Sequence, residues 1–187
     1  MNFAHRCLCK SNRWRHRVAT HIFPWTLDGV DLGSSVLEIG PGPGVTTDLL
    51  RGRVTRLTCV EIDRKLAEAL AQRTAGSNVH VICEDATAMS LAATSFDGAV
   101  SFMMLHHVPS KVLQDRLLRE VARVLRPGAV FAGVDSVYST PLRLLHLFDT
   151  MVLVDPYGFP DRLTAAGFTD VSVEVDQHAF RFFARRG

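Results

Sequence analysis

Four carboxylates in this chain of 187 residues stand in or just beyond short apolar runs. Glu38 lies in Val36-Leu37-Glu38-Ile39, Glu61 follows Cys59-Val60, Asp85 follows Val81-Ile82-Cys83-Glu84, and Asp135 follows Val134. A fourth run, around Ala99, Val100 and Phe102, leads to Met103, His106 and His107. If these runs are strands of one parallel sheet, the polar groups converge, because ligands of such sheets bind beyond the carboxyl ends of the strands. Gly40-Pro41-Gly42-Pro43-Gly44 follows Glu38 directly. A glycine turn between a strand and a helix lets a ligand approach the backbone and offers it the free N–H groups of the helix start. Glu61 lies about twenty residues past Gly40, where an acidic side chain accepts the ribose hydroxyls of a nucleoside. Asp85 is placed to accept from an adenine amino group, to cap the next helix, or to do both.

The glycine spacing departs from the dinucleotide fingerprint Gly-x-Gly-x-x-Gly/Ala. Gly40 and Gly42 fit, but Val45 holds the sixth place and Gly44 comes one residue early. So acidic a mouth would also repel a pyrophosphate. Both points count against a nicotinamide-dependent oxidoreductase. The mouth suits a nucleoside that carries positive charge, as S-adenosylmethionine does with its ammonium and sulfonium. His106 and His107 are the candidates for a general base, should an acceptor have to lose a proton, because imidazole is the side chain suited to that role. Packing, capping or lining the pocket would also account for them. Asp135, Tyr138, His146 and Tyr157 could line an acceptor site, though structural roles suit each of them.

The elements that must position these groups alternate. Residues 5–23 read as a helix with aromatics on one side, ended by Pro24. Strands are expected at residues 36–39, 53–62, 79–83, 96–104 and 129–134. Between them, helices are expected from Val45, over residues 64–73 behind an Asp63 N-cap, and over residues 111–125 behind Ser110. Alternation of this kind implies right-handed βαβ units and a doubly wound α/β sheet. Residues 142–154 look helical and apolar, and Phe159-Pro160-Asp161 opens a further helix. Residues 171–175 and 179–184 are strands joined by so short a turn that they must be antiparallel.

The composition, 47% hydrophobic and 21% charged, suits one globular domain over residues 1–187. Within it, residues 1–27 form a basic helical segment, 36–134 the cofactor-binding core, and 135–187 the acceptor-side helices and terminal hairpin. A net charge of +2 is too small to argue for nucleic acid. Arg6, Lys10, Arg13, Arg15 and Arg17 stand in a segment with no Asp or Glu, which reads as a solvated helix face or a contact with an acidic substrate or, weakly, a membrane surface. An Arg-rich organelle leader can look alike, but Trp14, Val18, Ile22, Phe23 and Trp25 look built to pack on a domain. No secretory apolar region and no apolar membrane-spanning run is seen, so a cytoplasmic protein is expected. Cys59 and Cys83 are expected as reduced core residues. Cys7-x-Cys9, with His5, His16 and His21 nearby, matches no structural zinc spacing, and no metal is expected there.

These motifs, in this order and spacing, resemble the class I S-adenosylmethionine-dependent methyltransferases, in the small-molecule branch of methyltransferase type 11 that contains the quinone-biosynthesis enzymes. The resemblance runs from about Val36 to Val134. It is carried by the stretch from Val36 to Gly44, Val60-Glu61-Ile62-Asp63, Glu84-Asp85-Ala86, Phe96-Asp97-Gly98-Ala99-Val100, Leu105-His106-His107-Val108-Pro109, and the stretch from Glu120 to Gly128. It implies a Rossmann-like seven-stranded sheet of order 3-2-1-4-5-7-6 with strand seven antiparallel. It further implies that Gly40, Gly42 and Gly44 form the wall beside the methionine part and that Glu38 orients the turn and helps to hold the ammonium. Glu61 would bind the ribose hydroxyls and Ile62 pack on adenine. Asp85 and the Ala86 N–H would meet the adenine edge, and Met103 would lie near the sulfur.

The same turn and Glu61 motif also resemble the ribosomal RNA adenine dimethylases. Those enzymes hold the target amino group with an Asn-x-Pro-Tyr/Phe-type motif after strand four, whereas this chain has Ser101-Phe102-Met103-Met104. Nor is an added RNA-binding domain expected at this length. Met103, Met104, Leu105 and the apolar run 142–154 point instead to a small apolar or amphipathic acceptor. The basic N-terminal helix is expected to cover the site. The rival from another class is a non-catalytic S-adenosylmethionine-binding module or partner subunit. Oligomeric state is not legible.

Overall fold

The computed structural model describes residues 7–9, 11–147 and 149–187; Arg6, Lys10 and His5 lie outside them. Seven strands form one sheet: β1 (Ser35–Ile39), β2 (Arg56–Val60), β3 (Val79–Ile82), β4 (Phe96–Phe102), β5 (Leu125–Ser136), β6 (Phe168–Val175) and β7 (Ala179–Arg186). Their spatial order is β3-β2-β1-β4-β5-β7-β6. The first five pair in parallel, and β7 runs antiparallel between β5 and β6.

Parallel strands covered on both faces read as continuous apolar runs, and here the two faces feed two cores. Leu37, Ile39, Ala99 and Phe131 point into one, with Leu117, Leu118 and Val121 from the helix that follows β4. Val36, Val100, Ala132 and Val134 alternate into the other, with Val18, Ile22, Phe23 and Leu27 from the N-terminal segment. That segment comprises α1 (Asn12–Arg17), a π-helical turn (Val18–Ile22) and α2 (Phe23–Leu27). Its docking is specific: Phe23 stacks on Phe102 at 5.6 Å, and the Arg53 guanidinium lies 4.7 Å over Phe23.

Four elements differ from their sequence reading. Pro24 does not end the N-terminal helix. It falls in the first turn of α2, where its missing N–H is an orphan in any case, and the preceding turn is wound wide, with the Phe23 N–H donating to Val18 O. Strand β5 starts four residues early, its exposed beginning carrying Pro127. Cys83 is exposed, because it lies just beyond the end of β3, an edge strand of the sheet; Cys59 is buried, and both are free thiols. Residues 142–154 are not one helix: α6 spans Thr140–Leu145 only. Beyond it the backbone is claimed elsewhere, the Val152 N–H by His106 O at 2.7 Å and Val152 O by Gln114 Nε2 at 2.7 Å.

The remaining helices are α3 (Val45–Leu50), α4 (Arg64–Arg73), α5 (Lys111–Val124) and α7 (Phe159–Ala165). Asp63 caps α4, accepting from the Lys65 and Leu66 N–H groups, and Ser110 caps α5 through the Leu113 N–H. No helix among the described residues is long and apolar enough to cross a membrane.

Candidate active site

Beyond the carboxyl ends of β1 to β5 lies a cavity of about 1450 Å³. Single-ligand pockets are usually about 300–1,000 Å³, so the space accommodates a nucleoside cofactor and a second molecule. Its walls divide by chemistry.

One side is built from backbone turns after β1, β2 and β3. The Gly40 N–H continues the ladder to Val60 O at 2.8 Å, and Gly44 N–H closes the turn on Pro41 O at 2.9 Å. Gly40, Gly42 and Gly44 all take left-handed φ values, +61°, +55° and +81°. A Cβ on Gly40 would strike Met104, and one on Gly44 would strike Leu70 and Arg73, whereas the space over Gly42 is open. Gly42 thus leaves room that a ligand can fill.

Glu61 is buried on the cavity wall, and its carboxylate straps the turn together. Oε2 accepts the Gly42 N–H and Oε1 the Asp63 N–H, each at 2.9 Å. Burial pushes its pKa up, against the pull of those two amides. A carboxylate accepts about four hydrogen bonds, so Glu61 keeps capacity for two hydroxyls. Asp85 is exposed on the wall, with Oδ1 accepting the Thr87 N–H at 2.8 Å. Ala86 lines the wall beside it, and Ile62 lies 69% exposed. These residues fit a nucleoside: diol acceptors, an amino-group acceptor, an exposed apolar face and an open glycine shelf.

Glu38 and Gly44 are not on the wall. The Glu38 carboxylate is wholly buried behind the turn, where Thr46 and Thr47 hydroxyls donate to it, the latter at 2.6 Å, as does Cys59 Sγ at 3.4 Å. Burial drives its pKa up, and the three donors offset part of the rise. Any influence on a ligand ammonium passes through Thr46, which does line the cavity. Thr46 and Thr47 were not singled out from sequence, although two hydroxyls at a helix start facing a strand glutamate were a readable signal.

The other side comes from the ends of β4 and β5, the N-terminal segment and α6. Met103 follows β4 in a left-handed conformation, φ +50°, with the Ser136 Oγ 3.4 Å from its sulfur. A single 3₁₀ turn, Leu105–His107, then places both histidines on the wall. His106 is buried, and its Nδ1 is bonded to the Asp135 carboxylate, which also accepts the His106 and Ser136 backbone N–H groups. Burial alone would raise the Asp135 pKa; its pairing with His106 and the backbone hydrogen bonds it accepts outweigh it and hold the carboxyl below the usual range. His146 packs edge-on to His106 at 5.0 Å, and His107 lies 4.3 Å from His106 between ring centroids. Gln114, buried on the apolar face of α5, was missed from sequence. Its Nε2 donates to Leu105 O and Val152 O, and so ties the histidine turn to the strand-like run after α6.

Apolar groups fill the rest of this side: Trp14, Val18, Ile22, Met104, Leu142 and Leu145. Arg13 and Arg17 also line it, and Arg15 pairs with Asp48 at 3.5 Å. Burial raises the Cys9 pKa to about 11, so this thiol is neutral. Tyr138 and Tyr157 are exposed and lie off the cavity wall.

A doubly wound sheet of this order, with a glycine turn and nucleoside-fitting carboxylates at its carboxyl edge, defines the class I methyltransferase architecture. Residues 37–133 match the methyltransferase domain of type 11, and the chain belongs to that family. Its fold and family are those of the S-adenosylmethionine-dependent methyltransferases. The PH0226 protein of Pyrococcus horikoshii superposes with a TM-score of 0.81 at 18% identity, covering 96% of this chain and 94% of that one. A SAM-dependent methyltransferase from Aquifex aeolicus gives 0.77 at 17% identity over 100% of both chains. A curated relative, ribosomal RNA small subunit methyltransferase A of Fusobacterium nucleatum, is 28% identical over 105 residues, 53% of this chain and 40% of that protein. The chain therefore spans less than half the length of that relative.

Proposed function

We infer that this enzyme methylates a small apolar or amphipathic acceptor that must lose a proton. The observation that carries the reading is the make-up of the acceptor side of the cavity: tryptophan, methionine and leucine side chains around one histidine cluster. Pockets of this kind grip by apolar burial and orient through a few polar groups.

In this reading Glu61 takes the ribose hydroxyls, Asp85 and the Ala86 N–H the adenine edge, and Ile62 one adenine face. Gly40 and Gly42 form the shelf for the methionine part, Glu38 and Gly44 brace it from behind, and Met103 faces the sulfur. S-adenosylmethionine supplies an electrophilic methyl group for in-line transfer. Holding acceptor and donor aligned is worth up to roughly 7–11 kcal/mol. His106, held by Asp135 through Nδ1, turns Nε2 toward the acceptor as general base, with His107 beside it. The N-terminal segment walls off the acceptor from water, and its arginines serve the cavity rim in preference to a membrane surface.

The names of the curated relatives favour a second reading, an RNA base as acceptor. Against it stands Ser101-Phe102-Met103-Met104 where an amide and a proline would clasp an amino group. One experiment tests both. The protein is titrated calorimetrically with S-adenosylmethionine and S-adenosylhomocysteine, then assayed by mass spectrometry against apolar phenols, quinols and amine lipids, with ribosomal RNA in parallel. Methylated small molecules support the proposal; methylated RNA with no small-molecule product overturns it.

A further inference from the structure

His106, His107 and His146 each present a ring nitrogen, and the three atoms lie within 4.8 Å of one another. We propose that these three histidines form a binding site for a zinc-class divalent metal ion, with the remaining coordination position open to the acceptor side of the cavity. The site goes beyond the methyltransferase reading and does not depend on it.

Two of the three rings are already oriented as metal ligands are. A ligating histidine almost always donates its other N–H to a carboxylate or a carbonyl, which fixes the tautomer and leaves the second nitrogen for the ion. His106 Nδ1 is held by Asp135 and His146 Nδ1 by Leu142 O at 2.8 Å, so each presents Nε2. Both rings are buried, at 2% and 4% exposure, so an ion among them is shielded from bulk water on that side. The ligands come from two separate elements, and the His106–His107 turn is pinned: its His106 O accepts the Val152 N–H, and Gln114 donates to both Leu105 O and Val152 O. All three histidines line the cavity, so an ion among them would face it.

An all-imidazole set suits zinc, copper, nickel or iron and disfavours magnesium and calcium, which want oxygen ligands. Metal–nitrogen bonds of about 2.0–2.1 Å put tetrahedral ligands about 3.4 Å apart, so the rings close by roughly 1 Å onto the ion. Three protein ligands with one open position is the pattern of a catalytic zinc site, in contrast to a closed structural one. A water or an acceptor hydroxyl would take that position. With an ion bound, His106 Nε2 is a ligand and not a base, so metal content decides which role operates.

The test uses the full chain, untagged and freed of metal by chelator dialysis. Zinc is titrated in competition with a chromophoric chelator, and cobalt is added separately while the visible spectrum is recorded. The expected result is one ion per chain and the strong d–d bands of four-coordinate cobalt. His146→Ala and His107→Ala, checked for folding by circular dichroism, should each weaken binding at least roughly 10–100-fold. Cys83→Ser, an exposed thiol off the cavity wall, should leave it unchanged. Nitrogen-15 spectra of the wild-type histidine rings need no variant and should show three rings shifting together at one equivalent of zinc. Substoichiometric binding, unshifted rings, or binding that survives both histidine variants overturns the site.

Discussion

The two sides of the cavity are built by opposite means. On the cofactor side, the groups at the wall are backbone turns and the carboxylates that strap them through backbone N–H groups: Glu61 to Asp63 and Gly42, Asp85 to Thr87. On the acceptor side, the holding partners are side chains that reach across long stretches of chain: the His106 ring to the Asp135 carboxylate, the Gln114 amide to Val152 O, Trp25 to Glu174. The charges respond oppositely as well. Burial raises Glu38 and Glu61, whereas Asp135 is held low. A cofactor side under electrostatic load is one that a cationic ligand relieves; an acceptor side whose charge is already satisfied stays rigid without a ligand. The lesson is that affinity and chemistry should be separable by mutation.

The largest expected effect is at Glu61. Glu61→Gln keeps one carbonyl oxygen but loses the charge and one strap, so two charge-assisted hydrogen bonds at about 1.5–3 kcal/mol each are compromised. S-adenosylmethionine affinity should fall by roughly 100-fold or more in calorimetry. Equal binding by wild type and variant would erase the distinction between the two sides.

Gly42→Ala sharpens it. The left-handed φ makes a Cβ cost about 1–2 kcal/mol of stability, and the added methyl meets no protein atom. The variant should fold, with only a modest loss in denaturant midpoint, and bind cofactor poorly. Gly40→Ala, whose Cβ would strike Met104, should instead lose stability and binding together.

Asp135→Asn probes the acceptor side. Turnover should drop at least tenfold, because the His106 ring loses the partner that orients it, while cofactor affinity holds within a factor of two or so. The sign of the pH effect follows from the depressed carboxyl. Its stabilisation is fully present above the unfolded value near 3.9 and is lost as pH falls through the lower folded value. Glu38 and Glu61, raised by burial, act the other way: their contribution is greatest below about 4.3 and declines as pH rises through their folded values. Acid unfolding of Asp135→Asn should therefore lose part of its pH dependence below about 4, measured by urea midpoints.

What the sequence made legible follows the same division. The doubly wound core could be read because each βαβ unit carries its signals within some thirty residues: apolar runs and the Asp63 and Ser110 caps. The glycine turn and Glu61 were readable for that reason. The pairing of His106 with Asp135, 29 residues away, and of Gln114 with Val152, 38 away, has no local signature. Neither has the end of α6 at Leu145, since the apolar run continues beyond it while His106 and Gln114 claim the backbone at Val152. The Cys83 error has the same source: edge position is a property of the whole sheet.

The smallest effect is the most exacting check, because it compares one residue type in two settings. Ile39 and Ile62 both stand at strand ends beside the glycine turn, yet Ile39 is 1% exposed and Ile62 69%. Ile39→Ala should cost about 2–5 kcal/mol of stability, the usual range for truncating a buried isoleucine. Ile62→Ala should stay within about 0.5 kcal/mol, because the side chain has little burial to lose in the ligand-free protein. If Ile62 covers an adenine face, its truncation weakens S-adenosylmethionine by roughly 1 kcal/mol, about fivefold, through apolar area covered only on binding. An Ile62 variant that binds as tightly as wild type would place the adenine elsewhere on the wall, and would move the boundary between the two sides toward Asp85.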